Sequence, residues 1–191
     1  MNSRFNFTRP DLDAAVEHAC WVAARQAQGH WLLLKAMSNC ANGLTSADAI
    51  YLQNDSQRLA ADARSGLRDW LRSEYHIFYS VNGFREQRAL KECVVPGRLA
   101  QVDADGVVLP PPGPQPTRIV RTSPGNHQFL YELDRFPESH QLESISRYLT
   151  RLVGGDRGGH QLAKLLRLPG TINWKLEYSP NPLVTVVPYG G

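Results

Sequence analysis

Asp103 and Asp105, two residues apart in the segment VDADG at 102–106, are the residues whose types and spacing most directly suggest chemistry. On an extended strand successive side chains leave opposite faces, so both carboxylates share one face while Ala100, Val102 and Ala104 share the other. Two like charges side by side repel unless a cation sits between them. Hard carboxylate oxygens suit magnesium or manganese in that role. An Asp-Gly segment is also a common strand-end turn, and the five residues alone do not separate the two readings. They do exclude a calcium loop of the EF-hand type, because the third acidic position and the distal glutamate are missing.

The elements that must carry this pair can be read from periodicity and punctuation. Leu99 to Asp105 is predicted as a strand entered from the Pro96-Gly97 turn. Arg118 to Thr122 and Asn126 to Leu133 are predicted as a hairpin about Ser123-Pro124-Gly125, sharing one antiparallel sheet with the acidic strand. In its second strand Phe129, Tyr131 and Leu133 mark the buried face. His127 has their parity, whereas Asn126 and Gln128 point to the more polar face, where the aspartates are placed. After Phe136-Pro137, the apolar residues Leu142, Ile145, Leu149 and Leu152/Val153 predict a helix stopped by Gly154-Gly155. Ile77 to Val81 and Val184 to Val187 read as further strands, and Leu162, Leu165 and Leu166 as a short apolar helical stripe. The proline-rich Leu109 to Pro116 is a stiff connector.

Nearer the start, Thr8, Pro10 and Asp11 signal a helix on which Leu12, Ala15, Val16, Ala19 and Val22 recur until Gly29. Ser56 to Leu71 is predicted as a second helix, with Leu59, Ala63, Leu67 and Trp70 on one face. Between them, Trp31 to Ala36 is an apolar patch of undetermined type. Asn39 to Gly43 reads as a turn, and Ser46 as the cap of a short helical piece before Asp55. The order implies an α+β fold, a mostly antiparallel sheet with helices on one face. Residues 1–75 are expected to form an N-terminal helical scaffold and residues 76–191 the functional core, within one compact domain.

Composition narrows the class. The 191 residues are 42% hydrophobic and 20% charged, enough for a real core. A net charge of +3 permits a nucleic acid or nucleotide partner without requiring one. Cys20, Cys40 and Cys93 are odd in number and widely spaced, which supports neither a disulfide framework nor a zinc site. With no apolar run at the start and no stretch long enough to span a bilayer, a cytoplasmic protein without membrane contact is expected.

Four segments stand out together: VDADG, TSPGNHQFLYEL at 122–133, GGD at 154–156 and RLPGTINWK at 167–175. In this order and spacing they resemble the archaeo-eukaryotic primase superfamily, in particular its RepB-like and primase-polymerase branches of plasmids, phages and mobile elements. The resemblance runs from about Tyr79 to Lys175. It implies an RRM-like catalytic sheet packed against an N-terminal helical or α/β module. It also implies that Asp103 and Asp105 form the first catalytic motif and Asp156 the third, three carboxylates holding two divalent ions, Mg2+ or Mn2+. Two ions about 3.5–4 Å apart can activate a 3′-hydroxyl and stabilise the leaving pyrophosphate.

The second motif, Ser-x-His in its simplest form, falls on Gln128 with Asn126 when Ser-Pro-Gly is aligned, and His127 is the alternative. Glutamine can donate a hydrogen bond to phosphate but brings no charge. By the same resemblance Ser123, Arg167, Asn173 and Lys175 are nucleotide-binding residues, Arg167 through its forked guanidinium. The implied partners are a single-stranded DNA template, nucleoside triphosphates, and a helicase in cis or in trans. The function expected is therefore a metal-dependent nucleotidyltransferase that makes primers. The competing expectations are a non-catalytic, primase-like nucleic-acid-binding module and a nucleotide-sugar glycosyltransferase using the Asp-x-Asp pair. The last lacks β-α alternation before the motif and leaves the GGD and RLPG segments without a role.

Overall fold

The computed structural model describes residues 9–41, 43–54 and 57–188. Thr8, Asn42, Asp55 and Ser56, each part of a sequence expectation above, lie outside the described residues. Helix α1 (Leu12–Ala23) starts where Asp11 accepts the Ala14 N–H at 3.0 Å, a side-chain cap that satisfies one orphan donor. The N–H of Asp11 donates to the Gly170 carbonyl at 2.7 Å, which seats the RLPG turn against the helix start. Gly170 has φ +80, and a Cβ there would collide with the Asp11 carbonyl, so the turn requires glycine twice over. Helix α2 (Leu59–Trp70) buries Leu59, Ala63, Leu67 and Trp70.

Between these helices the chain forms a long antiparallel hairpin, β1 (Trp31–Cys40) and β2 (Gly43–Gln53). The short helical piece expected after Ser46 is therefore corrected to strand, and the apolar patch at Trp31 to Ala36 is strand as well. Leu32, Leu33 and Leu34 are all buried, on both faces of β1, so the period-2 signature of a half-exposed strand is absent. In β2 the first seven residues are exposed and held by main-chain pairing with β1, and only its far end, at Ile50 and Leu52, reaches the first core. Ala36 pairs with Asp48 and Met37 with Ser46, leaving Ala47 as a β-bulge.

The remaining elements are β3 (His76–Ser80), β4 (Gly83–Phe84), β5 (Val94–Val95), β6 (Leu99–Asp105), β7 (Arg118–Ser123), β8 (Asn126–Glu132), α3 (Ser139–Val153), β9 (Leu165–Arg167) and β10 (Thr185–Val187). The helical stripe expected at Leu162 to Leu166 is corrected: Leu165–Arg167 pairs with β3, while Leu162 and Leu166 turn into different cores. Three strand residues are too few to display a period. Helix α3 carries a reciprocal Glu138/Gln141 capping box and ends at Gly154, whose φ of 76 is the left-handed stop expected of the GG pair.

Two sheets result, and among the described residues every strand pair is antiparallel. The first runs β5-β4-β1-β3-β9, with β2 also on β1; the second runs β10-β7-β8-β6. The fold is α+β with antiparallel sheets, as expected. Strand β1 pairs with β3 and β4, so the first sheet takes strands from both sides of residue 75.

One core lies between the first sheet and helices α1 and α2. The other joins α3 to the second sheet and includes Leu33 from β1. Strands β6 and β8 serve both: Ala100, Val102, Ala104, Phe129 and Tyr131 enter the α3 core, while Leu99 and Leu130, on their other face, enter the first. That other face is apolar at the Leu99 end and polar at the Asp105 end. Among the described residues no helix is long and apolar enough to cross a membrane.

Candidate functional site

The β6–β8 register places Gln128 directly across from Asp103 and Asn126 across from Asp105. Opposed residues of an antiparallel pair share a face, so these four side chains stand together, on the face that parity indicates. His127 pairs with Ala104 and lies on the opposite face, its ring stacked on Phe129 with centroids 6.2 Å apart. Burial is the main reason its imidazole pKa lies below the usual histidine range.

Asp156 reaches the pair because the loop after α3 is pinned to β6. Its N–H donates to the Asp103 carbonyl at 2.8 Å, and the Gly155 N–H donates to the Thr150 carbonyl at 2.9 Å. This approach needs glycine. A Cβ on Gly155 would stand 2.6 Å from the Asp103 carbonyl oxygen, and one on Gly159 would stand 2.9 Å from the Asp103 Cβ. Gln101, on the same face of β6 as the aspartates, donates Nε2 to the carbonyls of Gly159 at 3.3 Å and Gln161 at 2.9 Å, fixing the far end of the loop.

The carboxylates converge on a cation that the motif reading missed. Nζ of Lys164 lies 3.1 Å from Asp103 Oδ2 and 3.7 Å from Asp156 Oδ2. Asp105 belongs to the same electrostatic cluster. Burial raises its carboxyl above the usual range, Asp103 and Asp156 push it further, and Lys175 and Lys164 oppose them. Among the described residues no group of three or more Asp, Glu, His or Cys side chains is drawn together as a finished metal cage. The donor set nonetheless fits a hard divalent cation: two of its carboxylates already gather around an ammonium, and the third feels both. Gln128 adds a buried acceptor, its Oε1 having no hydrogen-bond partner.

Arg167 is 8% exposed and held from two sides. It donates from Nη1 to His76 Nδ1 at 2.9 Å and lies over the Phe78 ring at 4.9 Å. His76 must accept there, so its Nε2 carries the proton, donated to Asn39 Oδ1 at 3.1 Å. Burial first, then Arg167 and Lys175, lower the His76 pKa to about 4. Burial also brings Arg167 down to about 10, still charged at neutral pH, while Tyr178, Asp103 and Asp105 favour its charge.

The other sequence candidates are more occupied. Asn173 donates to the Thr122 carbonyl at 3.0 Å, beside the register shift between Arg121 and Ser123. Asn126 donates to Ser123 Oγ at 2.9 Å and accepts the Gly106 N–H at 3.2 Å, and the Tyr178 hydroxyl donates to the same Ser123 oxygen at 2.9 Å. Ser123 and Asn126 thus tie the hairpin turn to the end of β6. Lys175 pairs with Glu177 at 3.4 Å. The arrangement brings together three carboxylates, two lysines and one oriented guanidinium, a set suited to binding a metal-neutralised polyphosphate.

Residues 92–184, just under half of the chain, match the family model described as the RepB DNA-primase N-terminal domain. Among curated proteins no sequence match is found. The crystal structure of primase RepB′ is similar with a TM-score of 0.64 and 17% identity over 93% of this chain, which spans 56% of that one. The AEP domain of the cyanophage S-2L primase-polymerase gives 0.67 and 11%, covering 95% of this chain and 91% of that one. The catalytic domain of primase RepB′ in complex with initiator DNA gives 0.61 and 15%, covering 92% and 82%. At these identities the fold is what is shared.

Proposed function

We propose that this chain, whose fold and matched segment are those of the RepB-like and primase-polymerase branch of the archaeo-eukaryotic primases, is the catalytic core of a replication primase. It would join nucleotides into primers on single-stranded DNA. The observation that carries this reading is the gathering of Asp103 and Asp156 around one cation, 3.1 and 3.7 Å from Lys164 Nζ, with Asp105 coupled to both. Asp103, Asp105 and Asp156 would hold two Mg2+ or Mn2+ ions, which when bound activate the attacking hydroxyl and neutralise the triphosphate.

The chain's own residues complete the task. Arg167, braced by His76 and Phe78, offers its remaining N–H donors to phosphate oxygens. Lys164 and Lys175 supply mobile charge, and the buried Gln128 oxygen accepts a hydrogen bond from a substrate hydroxyl or from water. A helicase in cis or in trans would supply the single strand. One RepB′ structure holds initiator DNA, which agrees with a DNA partner here. Among the described residues the antiparallel sheets contain no parallel β-α-β unit of the kind a nucleotide-sugar transferase would use.

The test is primer-independent incorporation of labelled nucleotides on single-stranded DNA with Mn2+ or Mg2+. Asp103→Asn and Asp105→Asn are each expected to lower it by roughly a thousandfold, the several kcal/mol a metal contributes. Unchanged incorporation in both folded variants would overturn the proposal. The uncharged Gln128 at the second motif favours one alternative, a domain that holds DNA without polymerising. Binding of single strands with no incorporation by the unmodified chain would select it.

A further inference from the structure

Behind the loop that carries Asp156 lies a cavity of about 570 Å3 lined by Arg147, Thr150, Arg151, Arg157 and His160. Arg147 and Arg151 are one turn apart on α3 and therefore share a face. Arg157 follows Asp156 directly. The His160 Nδ1–H donates to the Arg157 carbonyl at 2.7 Å, curling the loop upon itself. Thr150 joins the two walls: its hydroxyl is spent on the Ser146 carbonyl at 2.8 Å, and its own carbonyl receives the Gly155 N–H. One flank of the loop thus presents Asp156 toward β6, and the other presents Arg157 and His160 toward α3.

Elsewhere Arg25 and Arg98 share Glu132, Arg118 holds Glu17, and Arg64 holds Asp13. Among the described residues none of Arg147, Arg151 and Arg157 has an ion pair, although Glu143 stands one turn before Arg147 on α3. In a chain with a net charge of only +3, three unpaired guanidiniums around one concavity are a local concentration of positive field. Their forked donors match phosphate oxygens. Tyr148, 63% exposed and three residues before Arg151, adds an aromatic face beside them. Unpaired basic groups next to an open ring are what a single-stranded polymer needs, charge for the backbone and a surface for a base.

We infer that this cavity holds the phosphodiester backbone of the single-stranded nucleic acid on which the chain acts. The inference rests on the primase reading and adds a location to it. Strand β6 is the edge of the second sheet, so no further strand stands between its carboxylates and the loop. Polymer can pass along this edge, with its backbone on the outer flank of the loop and its reacting end on the inner flank. The loop itself separates cavity from carboxylates, so phosphates in the cavity belong to the polymer and not to the nucleotide being joined.

The experiment is fluorescence anisotropy of labelled oligo-dT and of a mixed-sequence strand over a salt series, without divalent ions or nucleotide. The paired substitution R147A/R151A is expected to weaken both strands alike, by about tenfold at low salt. It should also flatten the slope of log K against log salt by about 1.4, since each phosphate contact on a single strand contributes about 0.7. R157A should flatten it by about 0.7, and R147K/R151K should keep the original slope. Binding of free nucleoside triphosphate, followed in parallel, should not change. Unaltered strand affinity and slope in the alanine variants would overturn the assignment, as would loss of triphosphate binding with strand binding intact. Arg147, Arg151 and Arg157 are exposed, and an unchanged circular dichroism spectrum verifies folding. Because no synthesis is read, an unmodified chain that makes no primers would defeat the functional reading while leaving this result standing.

Discussion

Lys164 puts a positive charge where the primase reading requires a metal ion, which makes it a competitor for the site it neutralises. Its pairs with Asp103 and Asp156 are partly exposed, and such pairs contribute up to about 1 kcal/mol. Lys164→Met should therefore tighten Mn2+ binding in the absence of nucleotide about fivefold, read from free Mn2+ by electron paramagnetic resonance. Weaker Mn2+ binding in the variant would show that the ammonium assists the site. This residue was not legible in the sequence. Within Leu162 to Leu166 it looks like any solvated lysine, and its role comes from a contact that only the folded chain makes. That Asp103, Asp105 and Gln128 share a face was legible, because a period of 2 and a tight hairpin fix which side chains stand together.

The loop from Gly154 to Gln161 brings Asp156 to β6, and its glycines set how close it comes. Gly155→Ala pushes a methyl group into the Asp103 carbonyl, and Gly159→Ala pushes one into the Asp103 side chain. Each should lower stability by about 1–3 kcal/mol, the usual cost of overpacking, and shift the urea midpoint accordingly. Mn2+ affinity should fall in parallel as Asp156 withdraws, and an unmoved midpoint would mean that the loop yields freely. The GG pair was readable as a helix stop, but its second function, admitting the loop to a neighbouring strand, depends on tertiary approach. The same limit hid the β1–β2 hairpin. Strand β1 is buried on both faces and shows no alternation, and the first seven residues of β2 are exposed and held by its partner's backbone. Helices α1, α2 and α3 were visible because each has one wet face and one dry face.

At the scale of the whole molecule, His76 links three strands: it sits on β3, donates to Asn39 on β1 and accepts from Arg167 on β9. Unfolded, it takes up a proton near pH 6.5; folded, it stays neutral until about pH 4. Between those values the unfolded chain binds more protons, so stability is complete above pH 6.5 and falls as the pH drops toward 4. The full shift corresponds to roughly 3 kcal/mol. Urea unfolding at pH 7, 5.5 and 4.5 should show the decline. His18 and His127 are lowered in the same sense, so His76→Gln should remove part of the slope. A slope identical to that of the unmodified chain would rule out His76 as a contributor. The bulge at Ala47 acts on the molecule's relations with its own kind. Among the described residues strand β2 pairs only with β1, and its other edge is open to solvent. The extra residue interrupts its ladder halfway, next to Asp48, whose carboxylate accepts the Trp70 indole N–H at 3.1 Å. An unbroken edge of eleven residues would be a template for another chain's strand; broken and bent, it keeps neighbouring copies from zipping together into aggregates.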